Sequence, residues 1–189
     1  MNKKLYIEFT FLITLGAITS LSLPPFNYLI INFLTISSFF IFLTKKFNQH
    51  KSLKFSFIYG WLFGFGYFLS NLYWISISLT FDQNYKFLIP LTFILIPAFM
   101  AIFYGLISYI YLILKPKEII SSFLIFSLIF GVLEFIRGTI LTGFPWNLIV
   151  YSFSNQLEFL SVTSIIGTYG LNLFCISLFT SPAIFILER

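Results

Sequence analysis

The sequence predicts an all-α integral membrane protein, a polytopic bundle of about six transmembrane helices with an extracytoplasmic re-entrant or interfacial segment. Three observations predict it. Hydrophobic residues make up 59% of the 189 and charged residues only 9%, against about 25% charged in soluble domains. Apolar runs at 5–23, 26–44, 55–80, 87–114, 119–137 and 161–187 reach the roughly 18 residues that a spanning helix needs. Basic residues also alternate with those runs. Lys3, Lys4, Lys45, Lys46, Lys51, Lys54, Lys115, Lys117 and Arg189 fall on one side, and only Lys86 and Arg137 on the other. By the positive-inside rule both ends of the chain are then cytoplasmic. A β-barrel would instead show alternating strands of about ten residues.

The net charge of +5 is what cytoplasmic loops of a membrane protein carry, and no arginine-rich stripe points to a nucleic-acid partner. Cys175 is the single cysteine, so there is no disulfide framework. It also has no His, Lys or Glu at helical neighbour positions to activate it, and it reads as packing. His50 is the single histidine and has no second ligand at metal spacing, so no metal and no cofactor is expected. Phe occurs 28 times while Ala is rare, which makes aromatic stripes weak evidence for a ligand.

Taken in order, the first run follows Met1-Asn-Lys-Lys with no small-residue cleavage site after it, and reads as a retained helix rather than a signal peptide. Pro24-Pro25 closes a hairpin to the second run, since proline removes N–H donors and pushes the preceding residue out of the helical region. Thr44 to Lys54 reads as a basic loop. The third run carries Gly60, Gly64 and Gly66, small residues that let a neighbouring helix approach, then Asn71, Tyr73 and Trp74. Trp74 suits an interfacial belt as well as a site. Pro90 and Pro97 mark a kink or a late start in the fourth run. Asn147 to Leu160 is too polar to span, and the last run opens with Gly167 and Gly170, again at packing spacing. Glu8 lies near enough to the cytoplasmic end to reach out beside Lys4.

The fifth run ends in Glu134-Phe-Ile-Arg-Gly-Thr-Ile-Leu-Thr-Gly-Phe-Pro-Trp146, the stretch richest in chemistry. A charge at the bilayer centre costs roughly 2.5–3.5 kcal/mol, so an intramembrane Glu134 and Arg137 mark a partner, a cavity or a substrate. Their spacing of i, i+3 puts both on one helix face. Two readings stand. Either they pair and fix the loop carrying Gly143, Phe144, Pro145 and Trp146, with Arg137 partly reaching water, or Arg137 presents its forked donors to a phospholipid phosphate while Glu134 orients it. Gly143 to Trp146 reads as a turn with an interfacial ring, either an anchor alone or part of a site.

Leu23-Pro-Pro-Phe26, the Gly60 to Gly66 cluster followed by Trp74, Glu134-Phe-Ile-Arg-Gly138, Gly143-Phe-Pro-Trp146 and Gly167-Thr-Tyr-Gly-Leu-Asn172 together resemble the membrane portion of the apolipoprotein N-acyltransferases, over nearly the whole chain. The resemblance implies a bacterial inner-membrane enzyme. Such an enzyme moves an acyl chain from a phospholipid donor to the α-amine of the diacylglyceryl-cysteine that begins an apolipoprotein acceptor. It also implies a nitrilase-like extracytoplasmic domain whose Glu, Lys and Cys work through a thioester, a chemistry in which the thiolate attacks and the lysine stabilises the oxyanion. Residues 1–189 match only the N-terminal transmembrane domain and contain no such triad, so the expectation is a fragment or first piece of a longer protein, inactive alone and needing that domain in cis or in trans. By the same resemblance Gly143 to Trp146 sits beside the lateral opening through which acyl chains enter.

Two other classes compete. A non-catalytic membrane scaffold that docks a partner enzyme fits a chain without the triad. A small multispanning transporter usually carries charges at mid-membrane on several helices or broken helices in related halves, and here only Glu134 reads as deep within the membrane.

Overall fold

In the computed structural model, described over residues 3–49, 51–141 and 143–188, the chain is helical with no strand among the described residues. His50 and Arg189 lie outside them. The helices are α1 (Lys3–Thr19), α2 (Ile30–Gln49), α3 (Leu53–Asn71), α4 (Tyr73–Ile77), α5 (Ile89–Leu114), α6 (Ile119–Thr139), α7 (Leu157–Leu160), α8 (Thr163–Thr180) and α9 (Pro182–Leu187), joined in places by short 3₁₀ turns. Five helical segments are long and apolar enough to cross a membrane, and α3 with α4 makes a sixth if that bent pair is one span.

The long helices close into a ring: α1 packs on α3, α3 on α5, α5 on α6, α6 on α8, α8 on α2 and α2 back on α1. Aromatic rings fill its centre. Phe39 stacks on Phe63 with centroids 4.1 Å apart, Phe40 meets Phe126 at 5.0 Å and Tyr104 meets Phe130 at 5.1 Å. Buried hydroxyls tie the helices across this core: Thr44 to Tyr111 at 2.8 Å, Tyr111 to Ser122 at 2.6 Å, and Ser56 donating to the Ser108 carbonyl at 2.6 Å. Without a hydrophobic drive between helices in lipid, such bonds and close packing hold the bundle together.

The close packing rests on glycine. A Cβ at Gly60 would strike the Tyr104 carbonyl oxygen of α5, one at Gly64 would lie 2.6 Å from the Tyr104 Cβ, and one at Gly66 would strike the Ile13 carbonyl oxygen of α1. Gly16 of α1 is equally tight against the Phe63 backbone. Thus α3 is gripped from both sides. Gly167 and Gly170 do something else. Gly167 has φ 74° and ψ 162° and nothing within 4 Å of a Cβ, so it serves a break in α8, and a Cβ at Gly170 would find its nearest neighbours, from 3.5 Å, on the side chain of Ile166.

Helix ends depart from the apolar runs for local reasons. The second helix begins at Ile30, after Pro24, Pro25 and a left-handed Asn27 (φ 56°), where the Tyr28 N–H turns back to the Leu21 carbonyl at 3.0 Å. It then continues through Lys45 and Lys46 to Gln49, because a helix does not stop where its residues become polar. The third run is bent by 49° at Leu72. There the Asn71 side chain donates back to the Tyr67 carbonyl at 3.1 Å, the kind of local bond that bends helices. Pro90 marks the start of α5, and Pro97 lies inside it. Glu8 pairs with Lys46 rather than Lys4 and accepts from the Tyr59 hydroxyl at 3.2 Å.

Replacing Gly66 by Ala drives a methyl into backbone rather than a yielding side chain. It should destabilise the bundle by about 1–3 kcal/mol, the usual cost of overpacking, read as a lower unfolding midpoint in detergent. Gly170→Ala, with its nearest neighbour at 3.5 Å, should leave that midpoint nearly unchanged.

Candidate functional site

The last turn of α6 places Glu134 and Arg137 on its inner face, where each is only 1% exposed. The two side chains meet in the forked geometry that a guanidinium and a carboxylate favour: Nε donates to Glu134 Oε1 at 3.1 Å and Nη2 to Oε2 at 2.8 Å. The other arm of the fork turns to the loop. Nη1 donates to the Phe144 carbonyl at 2.7 Å and to the Trp146 carbonyl at 2.9 Å. Four of the five N–H groups of the guanidinium are thereby engaged. Its carbon lies 5.3 Å from the Phe68 ring centre and 5.9 Å from that of Phe144, within cation–π range. Arg137 is therefore closed in by protein and does not reach water.

The loop that receives these bonds is one that few sequences would adopt unaided. Leu141, Gly143 and Asn147 all have positive φ, of 58°, 75° and 60°. Left-handed backbone costs a non-glycine residue of order 1–3 kcal/mol and persists only where the surroundings over-determine it. Here they do. The Phe144 N–H returns to the Arg137 carbonyl at 3.1 Å, Tyr67 of α3 donates to the Asn147 carbonyl at 2.8 Å, and Asn172 of α8 accepts the Val150 N–H at 3.0 Å. Two glycines make room. A Cβ at Gly138 would strike the Tyr169 hydroxyl, and one at Gly143 would lie 2.7 Å from the Gly138 carbonyl oxygen.

Beyond the loop, Leu148 to Phe153 folds inward, while Asn155 to Glu158 stays exposed. Ile149, Val150, Ser152 and Phe153 are buried in a 3₁₀ turn, and Ser154 donates to the Asn27 side chain at 2.8 Å. This ties the segment to the hairpin between α1 and α2, at the end of the bundle opposite the lysine-rich one.

Folding the loop down also aims its rings outward. Trp146 stands 5.9 Å from Trp74 of α4 and 5.3 Å from Phe144, measured between ring centres. With Ile75, Leu95, Ile96, Phe99 and Met100 these rings line an almost wholly apolar groove of about 600 Å³ between α4, α5 and the loop. A smaller cavity of about 120 Å³ shares Phe99, Met100 and Phe144 with it and extends to Arg137, Leu141 and Gly143. Pro145 is exposed beside it. The bend at Leu72 directs Trp74 to this groove, so Trp74 belongs with the loop.

The geometry thus brings Glu134, Arg137, Gly143, Phe144 and Trp146 together and leaves the glycines of α3 as framework. Tyr67, Gly138, Asn147 and Asn172 join the site without having been named as candidate site residues, although Gly138 and Asn172 lay within the motifs that carry the resemblance. Tyr67 had no signal among so many aromatics, whereas Gly138 follows Arg137 directly and lay within the motif. Among the described residues no three His, Cys, Asp or Glu side chains converge on a point that could hold a metal. Cys175 is wholly buried in α8.

Residues 15–179 match the family model described as the apolipoprotein N-acyltransferase N-terminal domain. The chain belongs to that family. Curated relatives named apolipoprotein N-acyltransferase include those of Rhodopseudomonas palustris (33% identical over 90% of this chain and 32% of the relative), Rhizobium etli (32% identical over 90% and 33%) and Rickettsia prowazekii (35% identical over 88% and 32%). The chain spans about a third of the length of these relatives, and what matches is the N-terminal domain of the family.

Removing Arg137 leaves a buried carboxylate unpaired, a loss of about 3–5 kcal/mol in comparable pairs. Arg137→Met should therefore lower the unfolding midpoint in detergent sharply. In Glu134→Leu/Arg137→Met the recovery should be only partial, because the Phe144 and Trp146 carbonyls still lack their donor. A double variant as stable as the parent would show that the two carbonyl bonds contribute nothing.

Proposed function

We propose that this chain is the lipid-handling membrane domain of an apolipoprotein N-acyltransferase, which presents the acyl chain of a phospholipid to a nitrilase-like catalytic domain supplied in cis or in trans. The observation that carries the reading is the apolar groove of Trp74, Phe99, Met100, Phe144 and Trp146, held open by a loop clamped to a buried ion pair. In this reading the lysine-rich end faces the cytoplasm, in accord with the positive-inside rule, and the loop lies at the outer leaflet, where the donor phospholipid and the diacylglyceryl-cysteine of the acceptor meet.

The division of labour follows from the side chains. Acyl transfer through a thioester needs a thiolate with a base and an oxyanion donor beside it. Cys175 is buried among apolar residues of α8 and has neither. Residues 1–189 accordingly bind and position lipid, and the chemistry belongs to the other domain. Arg137 acts through the loop rather than as a free phosphate receptor, since its donors are already committed to Glu134, Phe144 and Trp146. A docking role for the catalytic partner is part of the same reading; the transporter alternative gains no fully buried charge beyond the Glu134–Arg137 pair among the described residues.

A phospholipid with a photoactivatable group near the end of one acyl chain tests this. Added to the purified chain in vesicles and illuminated, it should label residues 95–100 and 144–146 above the remaining lipid-facing surface, and Met100→Trp should suppress that labelling. The same sample, supplied with a diacylglyceryl-cysteine peptide, should form no N-acylated product. Uniform labelling of all exposed apolar faces would overturn the groove as a lipid site, and product formation would overturn the division of labour.

A further inference from the structure

At the opposite end of the bundle, the first turns of α1, the last turns of α2 and the start of α3 enclose a second site that the acyl-transfer reading does not use. Glu8 and Lys46 form a partly buried pair there, their side chains 12% and 17% exposed. Two cavities of about 420 and 460 Å³ flank the pair, and Lys4, Glu8 and Lys46 line both. Each volume lies within the range of about 300–1,000 Å³ usual for small-molecule sites.

The lining is amphipathic and cationic. Lys4, Lys45 and Lys46 face a single carboxylate, that of Glu8. Both oxygens of that carboxylate are occupied, Oε1 by the Lys46 ammonium and Oε2 by the Tyr59 hydroxyl. Glu8 therefore positions Lys46 without neutralising Lys4 or Lys45. Ser38, Gln49 and Ser52 add neutral donors, while Phe11 and Phe42 form an apolar wall. At the same end of the bundle Lys115 donates to the Asn48 side chain at 2.8 Å, and partial burial and the charge of Lys51 hold it below the usual lysine range.

We infer that this cleft binds the headgroup of an anionic phospholipid, with Lys4 and Lys45 holding the phosphate and the acyl chains running along Phe11 and Phe42. Basic pockets between transmembrane helices recognise anionic headgroups in this way. A free phosphate shares the recognition chemistry, but the apolar wall below the lysines favours a ligand that carries chains. The site is independent of the groove at Trp146, which lies at the other end of the bundle.

Native mass spectrometry of the 189-residue chain in neutral detergent provides the test, with phosphatidylglycerol and phosphatidylcholine of identical acyl chains as probes. Phosphatidylglycerol should bind about thirtyfold more tightly, in line with two lysines at a membrane surface. The Lys4→Gln/Lys45→Gln variant, altered at two exposed positions, should lose that preference, and Lys117→Gln at the same end but outside the cleft should keep it. Equal binding of the two lipids would overturn the inference, as would a preference that survives in the double variant or vanishes equally in Lys117→Gln. Displacement of the lipid by equimolar inorganic phosphate would show that the cleft reads the free anion and would overturn the lipid assignment.

Discussion

A guanidinium taken out of water must find partners for its donors or it will not stay buried. Arg137 finds them in two places at once, the carboxylate one helical turn behind it and the carbonyls of the loop ahead. The pairing with Glu134 makes burial of the charge tolerable. The carbonyl bonds make the burial useful, because they select one conformation of a loop whose left-handed residues would otherwise relax. The outward-facing rings of Phe144 and Trp146, and with them the groove, follow from that selection.

The groove also needs walls at fixed positions, and these come from packing rather than polarity. Glycines on α1 and α3 let the backbones of α1, α3 and α5 approach until side chains of ordinary size would not fit. Such contact is effective in lipid, where burying apolar surface gains little and dispersion and interhelical hydrogen bonds decide association. Tyr67, directly after Gly66 on α3, reaches the Asn147 carbonyl, so the frame and the loop are registered to each other. Trp74 enters the groove because the chain bends at Leu72.

Much of this was legible in the sequence where a rule acts locally. Hydropathy and charge distribution predict the helical membrane bundle, and the i, i+3 spacing predicts that Glu134 and Arg137 share a helix face. The acceptors on Phe144 and Trp146 are main-chain atoms, which carry no residue signature, so the closed character of Arg137 could not be read from its neighbours. For the same reason Gly60, Gly64 and Gly66 announce close packing but not their partners, and Gly167 looks like a packing glycine until its dihedral angles show a break. The Glu8–Lys46 pair joins residues 38 positions apart, which no local spacing reveals, whereas Lys4 is a helical neighbour and looks the better partner. Tyr67 and Asn172 are single polar groups in apolar helices, and their roles depend on where the loop comes to rest.

The central claim is that Arg137 holds the loop and that the bonds to Tyr67 and Asn172 do not keep its shape without the guanidinium. Hydrogen–deuterium exchange of the chain in detergent, comparing the parent with Arg137→Met at a temperature where both remain folded, tests it most directly. Amides of residues 143–150, among them Phe144 and Val150, should lose their protection in the variant while those in the middle of α3, α5 and α6 keep theirs. Unchanged protection across 143–150 in folded Arg137→Met would contradict the account, because it would mean that the loop keeps its shape without the guanidinium.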